Sequence, residues 1–98
     1  MPRYVIERHI PGIGKLSHEE LQAISRKSSD VVASIRGRIQ WVESFVTADK
    51  IYCVYIAANE QLIRDHARAG GFPIAQISEV MAVIDPATSE GNRVLRAG

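Results

Sequence analysis

The chain has 98 residues, 46% hydrophobic and 23% charged, which favours one packed globular domain and excludes a generally disordered chain. Twelve basic against eleven acidic residues leave a formal net charge of +1, which argues against nucleic acid or an anionic membrane surface as a partner. The single cysteine excludes an internal disulfide, and since neither a signal-peptide pattern nor an apolar run of about 20 residues is present, we expect a cytoplasmic protein without a membrane span.

The first segments along the chain have the pattern of a strand and then a helix. Residues 3–10 (RYVIERHI) are rich in strand-forming side chains and end at Pro11-Gly12. Ser17 and Glu20 have the spacing of a capping box, in which each side chain accepts a hydrogen bond from the backbone N–H of the other residue. The stripe of an amphipathic helix follows at three-to-four spacing: Leu21, Ile24, Ser28, Val31 and Ile35.

The middle of the chain predicts a β-hairpin. Residues 39–47 and 50–56 are rich in β-branched and aromatic side chains, and Ala48-Asp49 between them suits a two-residue turn. Such a turn fixes the register of the two strands and pairs Trp41 with Ile56. One face of the hairpin is then predicted to carry Trp41, Glu43, Phe45, Tyr52, Val54 and Ile56.

A second helix and a last strand complete the series of elements. Asn59 can cap a helix that closes at Gly70-Gly71. Residues 78–85 (SEVMAVID) have the composition of a strand. We assign residues 1–88 to a single domain and residues 89–98 to a polar C-terminal tail.

The order β-α-β-β-α-β favours an α+β, ferredoxin-like fold, in which an antiparallel sheet carries both helices on one face. The other face would then expose Trp41, Phe45, Tyr52 and Met81, a larger apolar patch than soluble monomers usually show. A second copy is the simplest cover for such a patch. We therefore expect a homodimer of the dimeric α+β barrel type.

Acidic residues inside the strands are candidates for a functional site. Glu43 is predicted on the same face as Trp41, and Glu7 and Glu79 are predicted to reach the same cavity. His66, on the inner stripe of the second helix, is a further cavity candidate. Such a cavity could hold a small molecule or supply acid–base groups. The alternative is that the carboxylates are solvated or paired with arginine, because an unpaired buried carboxylate is costly.

His9 and Glu7 are the candidate metal ligands. Their spacing of two residues on a strand places both side chains on one face, and imidazole with carboxylate suits Ni, Cu or Zn. No HxxxH or HxH motif accompanies them. His66 has the position of a partly buried structural histidine, and Cys53 that of a small core residue.

Several short strings of the sequence carry a family resemblance. They are Tyr4-Val5-Ile6-Glu7-Arg8-His9, Ile51-Tyr52-Cys53-Val54-Tyr55, Ile63-Arg64-Asp65-His66-Ala67, Gly71-Phe72-Pro73 and Ile77-Ser78-Glu79-Val80. Over about residues 3–88 the chain resembles a bacterial domain family of unknown function that is described from a small nickel-binding protein of ferredoxin-like fold. The resemblance implies a dimeric domain and nickel or another divalent metal as ligand, without a ligand set that maps residue by residue.

Three functions are compatible with these patterns. The first is a non-enzymatic dimer that binds metal through His9 and Glu7. The second is a small-molecule binder or cofactor-free enzyme with a cavity between the sheet and the partner, in which Glu7 or Glu79 is the base and His9 or His66 the proton shuttle. The third is an interaction module without a ligand.

Overall fold

The computed structural model describes residues 1–91 and has the predicted order of strands and helices. The strands are β1 (Arg3–His9), β2 (Ile39–Val46), β3 (Lys50–Ala57) and β4 (Gln76–Glu79). The helices are α1 (His18–Ser34), α2 (Glu60–Gly70) and the single turn α3 (Pro86–Ser89), and a short 3₁₀ turn spans Ile13–Lys15. Residues 92–98 of the predicted C-terminal tail lie outside the described residues.

The four strands form one antiparallel sheet in the order β2-β3-β1-β4. Both long helices pack on one face of it, since Ser28 of α1 and His66 of α2 each contact the ring or hydroxyl of Tyr55 on β3. This arrangement confirms the α+β, ferredoxin-like fold. None of the helices described in residues 1–91 is long and apolar enough to cross a membrane.

Capping side chains define where α1 and α2 begin. The Ser17 hydroxyl accepts from the Glu20 N–H at 3.1 Å, and the Glu20 carboxylate accepts from the Ser17 N–H at 2.9 Å, which confirms the predicted capping box. The Asn59 side chain likewise accepts from the Leu62 N–H at 3.0 Å. Gly71 ends α2 in the left-handed region, at φ +70°, which glycine adopts without steric cost.

The core lies between the sheet and the two helices. Alternate residues of β1 and β3 face the helices and are buried, which gives both strands a period of two. The buried residues on this face include Tyr4, Ile6 and Arg8 of β1 and Ile51, Cys53, Tyr55 and Ala57 of β3. The other side of the sheet, called the open face below, carries the intervening residues, which are partly or largely exposed.

A β-bulge in β2 changes the predicted position of Trp41. The pairs Phe45–Tyr52 and Glu43–Val54 are as expected, but Trp41 pairs with Tyr55 and not with Ile56. The register shift between Trp41 and Glu43 leaves an extra residue on β2, so Trp41 lies on the helix side of the sheet. There its indole N–H donates to the Ser44 hydroxyl at 2.9 Å, while its ring packs against the core.

The last strand begins and ends closer to the N-terminus than the predicted range 78–85, and it is shorter. β4 covers Gln76–Glu79, and its hydrogen bonding to β1 extends to the N–H of Val80, which donates to the Arg3 carbonyl at 2.8 Å. The ladder ends there because Arg3 is the first residue of β1. Glu79 pairs with Tyr4, a residue of the helix side, so it is not on the open face as predicted.

Candidate functional site

The open face has an apolar centre. Phe45 and Tyr52 face each other across β2 and β3, and Val54 pairs with Val5 on β1. Phe45, on the edge strand β2, is 54% exposed. Tyr52 and Val54 are partly exposed, so the apolar centre consists of one largely exposed ring with two partly exposed neighbours.

Glu7 and His9 lie at the margin of this apolar centre. Both side chains are on the open face, because they alternate along β1 with the buried residues of the helix side. Glu7 is opposite Tyr52, and His9 is opposite Lys50. The Glu7 carboxylate Oε2 is 2.6 Å from His9 Nε2 and 3.8 Å from Lys50 Nζ. The hydrogen bond to His9, with a further contribution from the positive charge of Lys50, lowers the pKa of the Glu7 carboxyl. An ionised carboxylate and an imidazole therefore converge at one exposed point.

The structure separates the other candidates from this pair. Glu43 shares the open face, but it is opposite Val54 and two strands away from Glu7. Glu79, Trp41 and His66 are all on the helix side of the sheet. Within residues 1–91, three or more His, Cys, Asp or Glu side chains nowhere come close enough to hold one metal ion.

A second feature, called the inner cavity below, lies on the helix side between the sheet and α1. Its volume is about 140 Å³. Apolar side chains form most of its wall, among them Leu21 and Ile24 of α1 and Trp41 of β2. Its polar lining includes Ser28, Tyr55 and the guanidinium-bearing residue Arg8.

Arg8 is a buried cation, which the sequence analysis missed. Only 2% of this residue is exposed, and no acidic side chain of residues 1–91 forms an ion pair with it. Its Nη1–H donates to the Pro73 carbonyl at 2.8 Å, and its guanidinium lies 5.4 Å from the centre of the Phe72 ring. The sequence does contain a signal for this burial, because Arg8 follows Tyr4 and Ile6 at the two-residue spacing of the buried face of β1.

His66 is fully buried beside the inner cavity, more deeply than the partly buried position predicted for it, and its Nδ1 has no hydrogen-bond partner within residues 1–91. Its Nε2 is 3.3 Å from the Ser28 hydroxyl, which is also 3.3 Å from the Tyr55 hydroxyl. The ring lies 5.0 Å from that of Tyr55 and stacks on Phe72 at 5.4 Å. Burial, aided by the positive charge of Arg8, lowers the pKa of His66 and favours the neutral imidazole.

Comparison with known proteins places the chain in a family. Residues 4–80 match the family described as nickel responsive protein, SCO4226-like. The chain belongs to this family. Among solved structures it is similar to the crystal structure of SCO4226 from Streptomyces coelicolor A3(2), with a TM-score of 0.70 and 12% identity, covering 84% of this chain and 99% of that one. At this identity the likeness shows the fold alone. A search of curated proteins found no match.

Proposed function

We propose that this member of the SCO4226-like family binds Ni²⁺ or a similar divalent cation as a homodimer, with Glu7 and His9 as ligands. The observation that carries the proposal is the 2.6 Å approach of Glu7 Oε2 to His9 Nε2 on the open face. When the shared proton is released to solvent or carried on Nδ1 of His9, Nε2 has a lone pair beside the carboxylate, and a cation can take the place of that proton. The family's description as nickel responsive supports nickel as the cation.

The number of donors supports a site shared by two copies. One copy supplies an oxygen and a nitrogen at this point, and no third metal-ligating side chain joins them in the part of the chain that the structure describes. Ni²⁺ suits tetragonal sites with nitrogen and oxygen donors. A two-fold axis beside Glu7 and His9 would add the same pair from the second copy and give two imidazoles and two carboxylates.

The apolar centre of the open face supports the same dimer. Phe45, Tyr52 and Val54 form a patch that a second open face would cover, and the charged pair lies at its margin. A homodimer interface of this kind has an apolar centre and a polar rim. With the two-fold axis beside Glu7 and His9, dimerisation would bring the two Glu7–His9 pairs together and cover the apolar centre of each copy with the partner's open face.

Lys50 competes with a bound cation for Glu7. Its Nζ is 3.8 Å from Glu7 Oε2, and its side chain is 42% exposed, so it can turn into solvent when a metal ion binds. Because like charges repel, removal of this ammonium group should strengthen metal binding. We expect Lys50→Gln to tighten Ni²⁺ binding by about two- to fivefold, the range of exposed charge interactions.

Native mass spectrometry of protein purified without an affinity tag tests the proposal. The expected result is a dimer that takes up a fixed number of Ni²⁺ ions and releases them to a chelator, with Zn²⁺ and Cu²⁺ as competitors. His9→Ala and Glu7→Gln should abolish this uptake. His18→Ala is the matched control, because His18 is an exposed histidine of α1.

Two outcomes would contradict the proposal. One is uptake that survives both His9→Ala and Glu7→Gln. The other is a dimer that stays free of metal at a large excess of Ni²⁺. Stoichiometric uptake by a monomer would retain Glu7 and His9 as ligands and reject the shared site.

A further inference from the structure

We propose that the inner cavity binds a small molecule with one carboxylate on a compact apolar body, and that Arg8 is the group that binds the carboxylate. The proposal is independent of metal binding. Arg8 lies on the helix side of the sheet, whereas Glu7 and His9 lie on the open face. Substitutions at one site should therefore leave ligand binding at the other site intact.

The charge of Arg8 is the first argument. Only 2% of the residue is exposed, and its Nη2 has no hydrogen-bond partner within residues 1–91. A buried guanidinium without an anion is costly, because the charge has lost its hydration and gained no counter-charge. The carbonyl of Pro73 and the face of Phe72 offer only partial compensation. A carboxylate from outside the chain would supply the missing charge and accept from Nη2.

The second argument is the polar side chains that share the cavity wall with Arg8. The hydroxyls of Ser28 and Tyr55 are 3.3 Å apart, and both residues line the cavity. Burial raises the pKa of the Tyr55 phenol, so Tyr55 keeps its proton and can donate it in a hydrogen bond. A guanidinium and two hydroxyl groups together suit an anion, and they offer nothing that favours a metal cation.

The size and the walls of the cavity define the rest of the ligand. About 140 Å³ is close to the roughly 150 Å³ apolar cavity that takes up benzene in an engineered protein. Leu21, Ile24 and Trp41 line this part of the space. A monocarboxylate with an aromatic ring or a short branched chain therefore fits, whereas sugars and nucleotides are too large and too polar.

Titration of the purified protein with benzoate and with benzamide tests the proposal directly. The two probes have nearly the same shape and differ in charge. Trp41 is the single tryptophan of the chain and lines the cavity, so its fluorescence, excited at a wavelength the probes do not absorb, reports occupancy. We expect saturable binding of benzoate, about 10- to 100-fold tighter than that of benzamide, which corresponds to one hydrogen bond with a charged group.

Two variants locate the site. Arg8→Met removes the charge and keeps the length of the side chain, so benzoate affinity should fall to that of benzamide while benzamide affinity is unchanged. Ser25→Leu fills the cavity from α1 and keeps Arg8, so both probes should be lost. Arg64→Met removes an equal charge from an exposed site on α2 and should change neither affinity. The benzoate–benzamide comparison on the unaltered protein stands even where Arg8→Met fails to fold.

Three results would overturn the proposal. The first is the absence of saturable binding of benzoate. The second is equal affinity for benzoate and benzamide, which would mean that the cavity is apolar space and that water hydrates Arg8. The third is binding of benzoate that Ser25→Leu leaves intact, which would place the probe elsewhere. Loss of nickel uptake in His9→Ala has no bearing on these results.

Discussion

At the scale of single residues, the buried imidazole of His66 links folding to pH. Its pKa is lowered in the folded protein, so below the ordinary value of 6.5 the unfolded chain binds a proton that the folded protein does not. Stability from this source is complete above about pH 6.5 and is lost as the pH falls below that value. The groups packed around the ring are Ser28 of α1, Tyr55 of β3, the positive charge of Arg8 on β1, and Phe72.

We expect the free energy of unfolding to fall as the pH drops below 6.5, with a slope of at most about 1.4 kcal/mol per pH unit from this one group. Urea unfolding at several pH values measures it. His66→Gln should flatten the slope in this window, whatever its effect on stability at pH 7.5. His18→Gln is the matched control and should retain the slope. An unchanged slope in His66→Gln would show that His66 titrates as an exposed histidine does.

At the scale of elements, the capping box of α1 is a local feature with a measurable contribution. The Ser17 hydroxyl satisfies the Glu20 N–H, which otherwise has no partner at the start of the helix. Ser17→Ala should lower the free energy of unfolding by about 1 kcal/mol. Ser29→Ala, at an exposed position within α1, is the control and should leave stability unchanged or slightly raised. Equal effects of the two substitutions in urea unfolding would mean that the cap contributes nothing.

The helices and strands could largely be predicted because the sequence signals that define them are local. The errors arose where the position of a residue depends on its pairing with a neighbouring strand. Ser17 and Asn59 are the N-caps of α1 and α2, and the hydrogen bond that each side chain makes depends only on residues within its own helix. The bulge in β2 was not predictable, because Trp41 and Val42 are both apolar and either can face the core. The end of β4 was set by the length of β1 and not by its own residues.

The candidate site, like the fold, could be predicted only in part. The parity of β1 alone brings Glu7 and His9 together, and the structure shows that approach. The same parity puts Arg8 among core residues, but its charge argues for the surface, and only the tertiary packing of Phe72 and Pro73 decides between the two. Cavities depend on how elements pack, so the inner cavity has no counterpart in any sequence pattern.

At the scale of the whole molecule, the proposed function makes metal binding depend on assembly through the open face. If Phe45 lies within a dimer interface, a charge at this position would be buried without a partner on association. Phe45→Lys should therefore give a monomer at concentrations where the unaltered protein is a dimer. Its fold should be intact, because Phe45 is 54% exposed in the single copy.

The same variant separates a shared metal site from a site within one copy. Because the proposed site takes one Glu7–His9 pair from each copy, the Phe45→Lys monomer should lose most of its Ni²⁺ affinity while both residues remain in place. Ala23→Lys adds the same charge on an exposed position of α1 and should leave both assembly and uptake unchanged. Sedimentation and isothermal titration with Ni²⁺ measure the two properties. A Phe45→Lys protein that remains dimeric would place the interface elsewhere, and a monomer with full affinity would show that one copy completes the site.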